Sequence, residues 1–592
     1  VALASVPMES FVAGNATNGA WISEALAAAP PYLSLQRPVY SIATTGSEPG
    51  AVNMSVNLPA NASDRDILDL YSWNTDSREW EFVPSHLDGS SSLITSVADV
   101  PDHLALFQAQ PPEGPTVLVS VDISHSLTPE VASLATIVSP AGLQPTLEGT
   151  LTGSLAPGFE LNAGYYVMPT IRNFSDPRAL DPATIEAILA SSTLRSEHVA
   201  NIRALATGGY SGVFIDYRDL SAEQRANFTA FVRDLSGSLH EVGLLLGVTV
   251  PAAQNIAGSW DTGAYDWRAI GQYADFVQVT LNNDPAAFAP GQDRIVEAMM
   301  RWAVGEVSRY KLLLGLSALS VRQANGGDFT SVGYDEALSA LGDVTLQVDT
   351  TEAGTIPPGS EIAAELDGFD AASGFEEAIQ APYVEYMGTD GIAVARMWLT
   401  TSDALRFRMD RTIPFALGGV AFDDLLADGI ADGILETIFN YKLQLPGVPS
   451  RGQLALRWRI EGVNGVVDEI TTSLNERLVA TITAPDGNYA INVAVVNNGV
   501  EGASAESVRS GAAVAVFAPT ATPTPIPTNT PTPTPEPTST PVPVVVAAAP
   551  VSAPSGGGAP AAAPGSGSIV GGFEYGGHVT DPASGRAANA MH

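Results

Sequence analysis

The chain has no cysteine among its 592 residues. That excludes disulfides, thiol nucleophiles and cysteine-held zinc. Its seven histidines are scattered, with no HExxH and no paired spacing, so a zinc hydrolase has no ligand set, and no metal or cofactor is expected. Basic residues are scarce: 27 Lys and Arg face 64 Asp and Glu, for a formal charge of −37. Such a surface repels phosphate backbones, and nucleic acid is not an expected partner. There is no run of about 18 apolar residues, so no membrane-spanning helix is expected. The first residue is valine. The start reads as processed, with a signal peptide removed, which implies an extracellular or cell-surface location.

What is present divides into blocks. A length of 592 residues exceeds one core, so several domains are expected. Residues 1–112 are rich in Ser, Asn, Pro and Val and hold alternating segments such as AVNMSVNL. They read as a β-sandwich module. Within it DLYSWNTDSREWEFVPS suggests a hairpin whose Tyr71, Trp73, Trp80 and Phe82 belong to a core. Residues 448–518 carry LALRWRI, LVATITA, YAINVAVVN and AAVAVFA, which suit an immunoglobulin- or fibronectin-like sandwich. Residues 519–567 form a Pro/Thr-rich and then Gly/Ala-rich linker, whose first part favours extended polyproline II. Residues 568–592 read as the start of a further domain.

Between these blocks, residues 113–447 alternate short apolar runs with helical patterns. The runs are TVLVSVDI, LATIVSP, YYVMPTI, SGVFIDY, LLLGVTVP, ADFVQVTL, KLLLGLSAL and LGGVAF. Eight such runs predict a (β/α)8 TIM barrel of parallel strands covered on both faces. After the fourth run, Ser221 and Gln224 are placed to form a capping box. Phe228, Phe231, Val232, Leu235 and Leu239 then recur at helical spacing, and Gly243 ends the helix. Residues 320–391 read as a small α+β insertion, with VTLQVDTT a strand and EEAIQAPYVEYM helix-like. Its acidic stretch DGFDAASGFEE fits no calcium loop and reads as solvated.

In such barrels the chemistry sits at the C-terminal strand ends. There SGVFIDYRDL, with SPAGLQPTLEGTLTG, TLRSEHVANIRALATGGY, FTAFVRDLSGSLHEVGLLLGVTVPA and YDWRAIGQYADFVQVTLNND, resembles glycoside hydrolase family 18. This is the chitinase family, and the likeness is to its spore-germination, peptidoglycan-directed branch. The resemblance implies hydrolysis assisted by the substrate's own acetamido group. A glutamic acid ending the strand-four motif would protonate the leaving oxygen, and an aspartate two residues earlier would orient the acetamido group. Asp216 matches the aspartate and Tyr217 the aromatic after it, but the acid position holds Arg218. A guanidinium keeps its proton near neutral pH.

Two further positions depart from the family's pattern. Its strand-six Met-Thr-Tyr-Asp is Val279, Thr280, Leu281 and Asn282 here, and Phe422 replaces its strand-eight tryptophan. Rescue by Asp219 or Glu223 would require a displaced carboxylate to reach the same point. Arg218 reads either as the partner of Asp216 or Asp219 in an ion pair plugging the barrel mouth, or as a direct ligand contact.

Three functions stay open. The first is a non-catalytic pseudoenzyme barrel, structural or glycan-adhesive, in a surface layer, sheath or fibre. The second is an active glycosidase on N-acetylglucosamine-containing glycans. The third is a lectin-like module. The expected partners are a surface glycan or peptidoglycan, with self-association or other surface proteins. Candidate sugar contacts are Tyr166, Asp216, Tyr217, Asn282, Trp398 and Phe422, and the aromatics among them also read as barrel core.

Overall fold

A computed structural model describes residues 2–6 and 20–517. Excepted are segments 37–38, 47–50, 60–63, 90, 291–294, 335–342, 349–354, 368–370, 388–392, 447–453, 474–475, 482, 484–485 and 498–506. The Pro/Thr-rich linker and the C-terminal fragment lie outside the described residues.

Each of the eight apolar runs contains a strand. They are β1 (Thr116–Val121), β2 (Ile137–Pro140, resuming at Leu143–Pro145) and β3 (Tyr166–Val167, resuming at Thr170–Arg172). Then follow β4 (Gly212–Asp216), β5 (Leu245–Pro251), β6 (Phe276–Thr280), β7 (Leu312–Leu316) and β8 (Gly419–Phe422). Each pairs in parallel with the next, and β8 pairs in parallel with β1, which closes the ring.

Period-2 alternation divides every strand between two cores. Leu118, Ile137, Met168, Phe214, Leu313 and Ala421 fill the barrel interior. Their strand neighbours, such as Val117, Val119, Val213 and Ile215, pack outward under the helices. Gly247 makes room for one interior residue, since a Cβ there would lie 2.3 Å from the Phe214 ring.

The helix after β4, α1 (Arg225–His240), buries Phe228, Phe231, Val232, Leu235 and Leu239 as its spacing requires. The capping box does not form. Ser221 makes no side-chain cap, and a 3-10 turn over Ala222–Gln224 precedes the helix instead. The Ser221 amide donates to Glu186 Oε1 at 2.8 Å.

The expected α+β insertion is β-structure among its described residues. Strands Ser320–Ala324, Phe329–Val332, Ala371–Glu376, Ala381–Met387 and Ala393–Trp398 form one antiparallel sheet. EEAIQAPYVEYM is a turn and a strand rather than a helix. Gln380 takes a positive φ of 52°, and Ala381, Val384 and Tyr386 are buried. The other insertion strands, Asp343–Gln347 and Glu361–Asp367, leave this sheet and pair with Leu478–Thr481. Ile356 joins the same region: its amide donates to Ala515 O and its carbonyl accepts from Phe517 N. The four-stranded sheet of residues 454–516 is therefore accompanied by a three-stranded sheet built mostly from the barrel insertion.

In the N-terminal region the hairpin pairs Tyr71 with Phe82 and Trp73 with Trp80. Helix Ala20–Ala27 covers this face, and the Trp80 indole donates to Ala25 O at 2.8 Å. The opposite face places Leu70, Leu104 and Leu106 against Val56 and Leu93 of a second, three-stranded sheet.

This region is joined to the barrel by a buried ion pair. Arg309, in the turn before β7, donates to both Asp69 oxygens, at 2.7 Å from Nε and 2.6 Å from Nη2. Its Nη1 donates to the carbonyls of Asp66 and Phe415. The attachment precedes β7, at the barrel end opposite the strand C-termini. Removing one partner of a buried pair strands the other charge and costs about 3–5 kcal/mol. Asp69→Ala is expected to lower chemical-denaturation stability on that scale, while loss of less than about 1 kcal/mol would show the pair to be dispensable.

Candidate functional site

The C-terminal strand ends carry a chain of alternating charges. Because Phe214 points inward, Asp216 and Arg218 also point inward, and Tyr217 points out. Asp216 is 3% exposed. Arg218 clamps it with both arms of the guanidinium, Nε to Oδ1 and Nη2 to Oδ2, each at 2.8 Å. Arg172, at the end of β3, approaches Asp216 Oδ2 from another side at 3.8 Å and reaches Asp122 Oδ2 at 3.4 Å. Beyond Arg218 stands Asp423, 3.8 Å from its Nη2.

The Arg218 backbone is held as firmly as its side chain. Its amide donates to Asn173 Oδ1 at 2.8 Å, and Asn173 Nδ2 donates back to its carbonyl at 2.9 Å. The guanidinium lies 4.7 Å from the centroid of the Phe174 ring. Burial tends to lower the Arg218 pKa, but Asp216 and then Asp423 outweigh burial and raise it. Arg218 is therefore charged at any physiological pH.

Two aspartates that sequence inspection does not single out complete the floor. They follow the β8 run directly. Since Ala421 faces the interior, Asp423 faces the same way, and this parity is the signal that finds it. Asp423 Oδ1 accepts from Ser120 Oγ at 2.7 Å and Gln278 Nε2 at 3.3 Å. Its side chain is 40% exposed to the cleft. Desolvation by the cleft walls pushes its pKa up, but Arg172, Arg218 and these hydrogen bonds together hold it below the usual carboxylate range. Asp424 behaves oppositely: burial raises its pKa against hydrogen bonds from Ser317 Oγ and the Ala318 amide. Those two donors tie its carboxylate to the loop after β7.

A cleft of about 590 Å³ opens above this floor. Its walls include Arg218, Asn282, Asn283, Asp423 and Asp424 from the strand ends, and Phe329 and Ser331 from the insertion sheet. Among the described residues no group of three or more carboxylates or histidines is placed to hold a metal.

The expected sugar contacts are dispersed. Asn282 lines the cleft. Tyr217 is turned into the helix layer, where its hydroxyl meets His198 Nε2 at 2.6 Å and burial pushes its pKa up. Phe422 alternates outward beside Val420 and is fully buried. Tyr166 is 52% exposed but begins β3, at the far end of the barrel from the cleft. Trp398 is buried in the insertion sheet, its indole donating to Glu376 Oε2 at 2.9 Å. Asp219 is exposed, takes a left-handed φ of 60° and does not line the cleft, and Glu223 is exposed on the 3-10 turn.

No family model matches the chain. Two curated Bacillus subtilis proteins do. One is YdhD, provisionally named a sporulation-specific glycosylase, 29% identical over 139 residues, 22% of this chain and 32% of that protein. The other is YvbX, an uncharacterised glycosylase, 26% identical over 158 residues, 25% of this chain and 45% of that protein. The barrel is glycoside hydrolase family 18-like. The matched stretches span from a third to just under half of the curated relatives. Among solved structures, a Chromobacterium violaceum chitinase aligns over 55% of this chain and 98% of its own, with 19% identity and a TM-score of 0.42. The spore cortex-lytic enzyme SleL of Bacillus megaterium aligns over 60% of this chain and 79% of its own, with 16% identity and a TM-score of 0.42.

The two floor aspartates of this family 18-like barrel give opposite pH signatures. Asp423, with its folded pKa depressed, stabilises the fold above its unfolded value of about 3.9, and this contribution fades as pH falls through the folded pKa. Asp424, with its folded pKa raised, favours the fold most below that unfolded value, and this contribution is lost as pH rises through the folded pKa. Asp424→Asn is therefore expected to flatten the decline in denaturation stability on the neutral side of about pH 4. An unchanged slope in the variant would contradict the assignment.

Proposed function

We propose that this barrel holds a glycan without cutting it, as part of a modular protein outside the cell or on its surface. The observation that carries this reading is the two-armed clamp of Arg218 on Asp216. Family 18-type hydrolysis needs a neutral carboxyl at residue 218 and an aspartate at 216 free to turn toward an acetamido group. Here the first is a permanent cation and the second has both oxygens engaged. The cation also opposes the positive charge that develops on the sugar ring at the transition state.

Among the described residues no nearby acid takes its place. Asp219 and Glu223 do not line the cleft, and Asp176 lines it from the exposed segment after Phe174 with one oxygen accepting from the Arg178 amide. Asp423 is held ionised between two arginines, and Asp424 is tied to Ser317 and Ala318. The cleft keeps what binding requires: hydroxyl and amide groups, an ionised acceptor in Asp423, and the Phe329 ring as an apolar wall. The glycan class follows from relatives named as glycosylases, with N-acetylglucosamine-containing polymers such as peptidoglycan or chitin the leading ligands. The Pro/Thr-rich stretch from residue 519 suits a rod between modules outside the cell. In a layer, sheath or fibre, self-association would sit beside glycan binding.

Wild-type protein is expected to give no turnover of a fluorogenic N-acetylglucosamine oligomer or of peptidoglycan, assayed beside Arg218→Glu as the variant that returns a carboxyl to that position. Turnover by the wild type would overturn the proposal. Chitotetraose is expected to bind, and Asp423→Asn to weaken it about tenfold, the scale of one hydrogen bond to a charged group. Equal affinity in calorimetric titrations of both proteins would remove Asp423 from the site.

A further inference from the structure

Among the described cations of the cleft, Arg408 is the buried one with a guanidinium nitrogen left unpartnered. Arg408 sits on α2 (Ser402–Met409), the helix that follows the last insertion strand, and lines the cleft from a position only 3% exposed. Its Nη1 donates to Thr400 Oγ1 at 3.2 Å, and the guanidinium lies 5.6 Å from the Phe288 ring centroid, itself part of the cleft wall. Its Nη2 is buried without a hydrogen-bond partner among the described residues. Burial pushes the Arg408 pKa down to about 10, and Asp424 offsets only part of that effect.

A buried guanidinium arm without an acceptor is expensive. The two floor aspartates are not free to answer it: Asp423 serves Arg172 and Arg218, and Asp424 is tied to Ser317 and Ala318. The third described cleft acid, Asp176, is an exposed residue that makes no ion pair with Arg408. A neutral hydroxyl would satisfy an N–H but leave the charge uncompensated. A carboxylate would do both, and its planar pair of oxygens matches the guanidinium fork.

We propose that the cleft receives an acidic sugar unit, with Arg408 as the receptor for its carboxylate. This rests on the reading of the cleft as a glycan site and names the chemical class of one residue of that glycan. The carboxylate is either a lactyl ether substituent on an amino sugar or the C6 acid of a uronate. The net charge of −37 repels acidic polymers at long range. At physiological salt that repulsion is screened beyond about 8 Å, while a desolvated contact inside the cleft is not.

The test is calorimetric titration of the full chain at physiological ionic strength with four probes: chitotetraose, an N-acetylglucosamine–N-acetylmuramic acid disaccharide with a free lactyl carboxylate, the same disaccharide with that carboxyl amidated, and tetragalacturonate. At least one carboxylated probe is expected to bind about tenfold or more tightly than chitotetraose, the scale of a charge-assisted hydrogen bond. The probe that does so, lactyl or uronate, identifies the source. Arg408→Gln is expected to abolish that preference, and Arg408→Lys to keep part of it. Because the unpaired cation is held against its own solvation, Arg408→Met is expected to melt no lower than wild type, whereas a purely structural arginine would give a lower melting temperature. Equal binding of neutral and carboxylated probes, or a preference that survives Arg408→Gln, overturns this inference and leaves the glycan site standing. Failure of all four probes to bind overturns both.

Discussion

A buried carboxylate at the end of β4 must have a partner, and here the partner is two residues further along the chain, just past the strand's end. Asp216 is almost wholly removed from water, and an unpaired charge in that position would not persist. Arg218 supplies both arms of its guanidinium. The pair then fixes much around it. Asn173 clamps the Arg218 backbone, Phe174 lies beside its guanidinium, and Arg172 and Asp423 extend the alternation of charge across the mouth. The charges of this network answer one another without a bound substrate, although Arg172 Nε is buried without a hydrogen bond among the described residues.

The same alternation of strand residues that builds the barrel also decides which side chains meet in the cleft. Phe214 and Ala421 are interior residues, so Asp216, Arg218 and Asp423 are interior as well, while Tyr217 and Phe422 belong to the outer layer. A ring of eight short strands therefore brings together groups far apart in sequence: Arg172 and Asp216 at strand ends, and Asp122, Arg218 and Asp423 in the first one or two residues beyond them. The insertion contributes the far wall through Phe329 and Ser331. Part of that insertion is committed to pairing with strand Leu478–Thr481. The cleft wall is thus continuous in sequence with the residues that carry the C-terminal sheets.

The ring of strands was legible in sequence because each barrel strand is covered on both faces and reads as an unbroken apolar run. Helix α1 was legible because its buried face recurs with helical period. The insertion was not, because EEAIQAPYVEYM has apolar residues at spacings that suit either a helix or a turn followed by a half-buried strand. Only the partner strand Ala393–Trp398 decides between them. The joining of strands Asp343–Gln347 and Glu361–Asp367 to Leu478–Thr481 in one sheet is long-range and has no local signature. At the site, Arg218 was legible as a replaced acid. The aromatics misled, since a tyrosine or phenylalanine at a strand end looks the same in sequence whether it faces a sugar or a helix. Asp423 needed the parity of Ala421, and Arg408 needed the fold.

The reading of the barrel as a holder of glycans stands on the closed pair at Asp216 and Arg218 and on the commitment of the two floor aspartates, Asp423 and Asp424, to partners of their own. A crystal structure of the chain with an N-acetylglucosamine tetramer bound in the cleft tests this most directly. The account predicts that both arms of Arg218 remain on Asp216, with no carboxyl oxygen within hydrogen-bonding distance of a glycosidic oxygen. A carboxyl placed against that oxygen, from Asp423, Asp424 or any other residue, would contradict it.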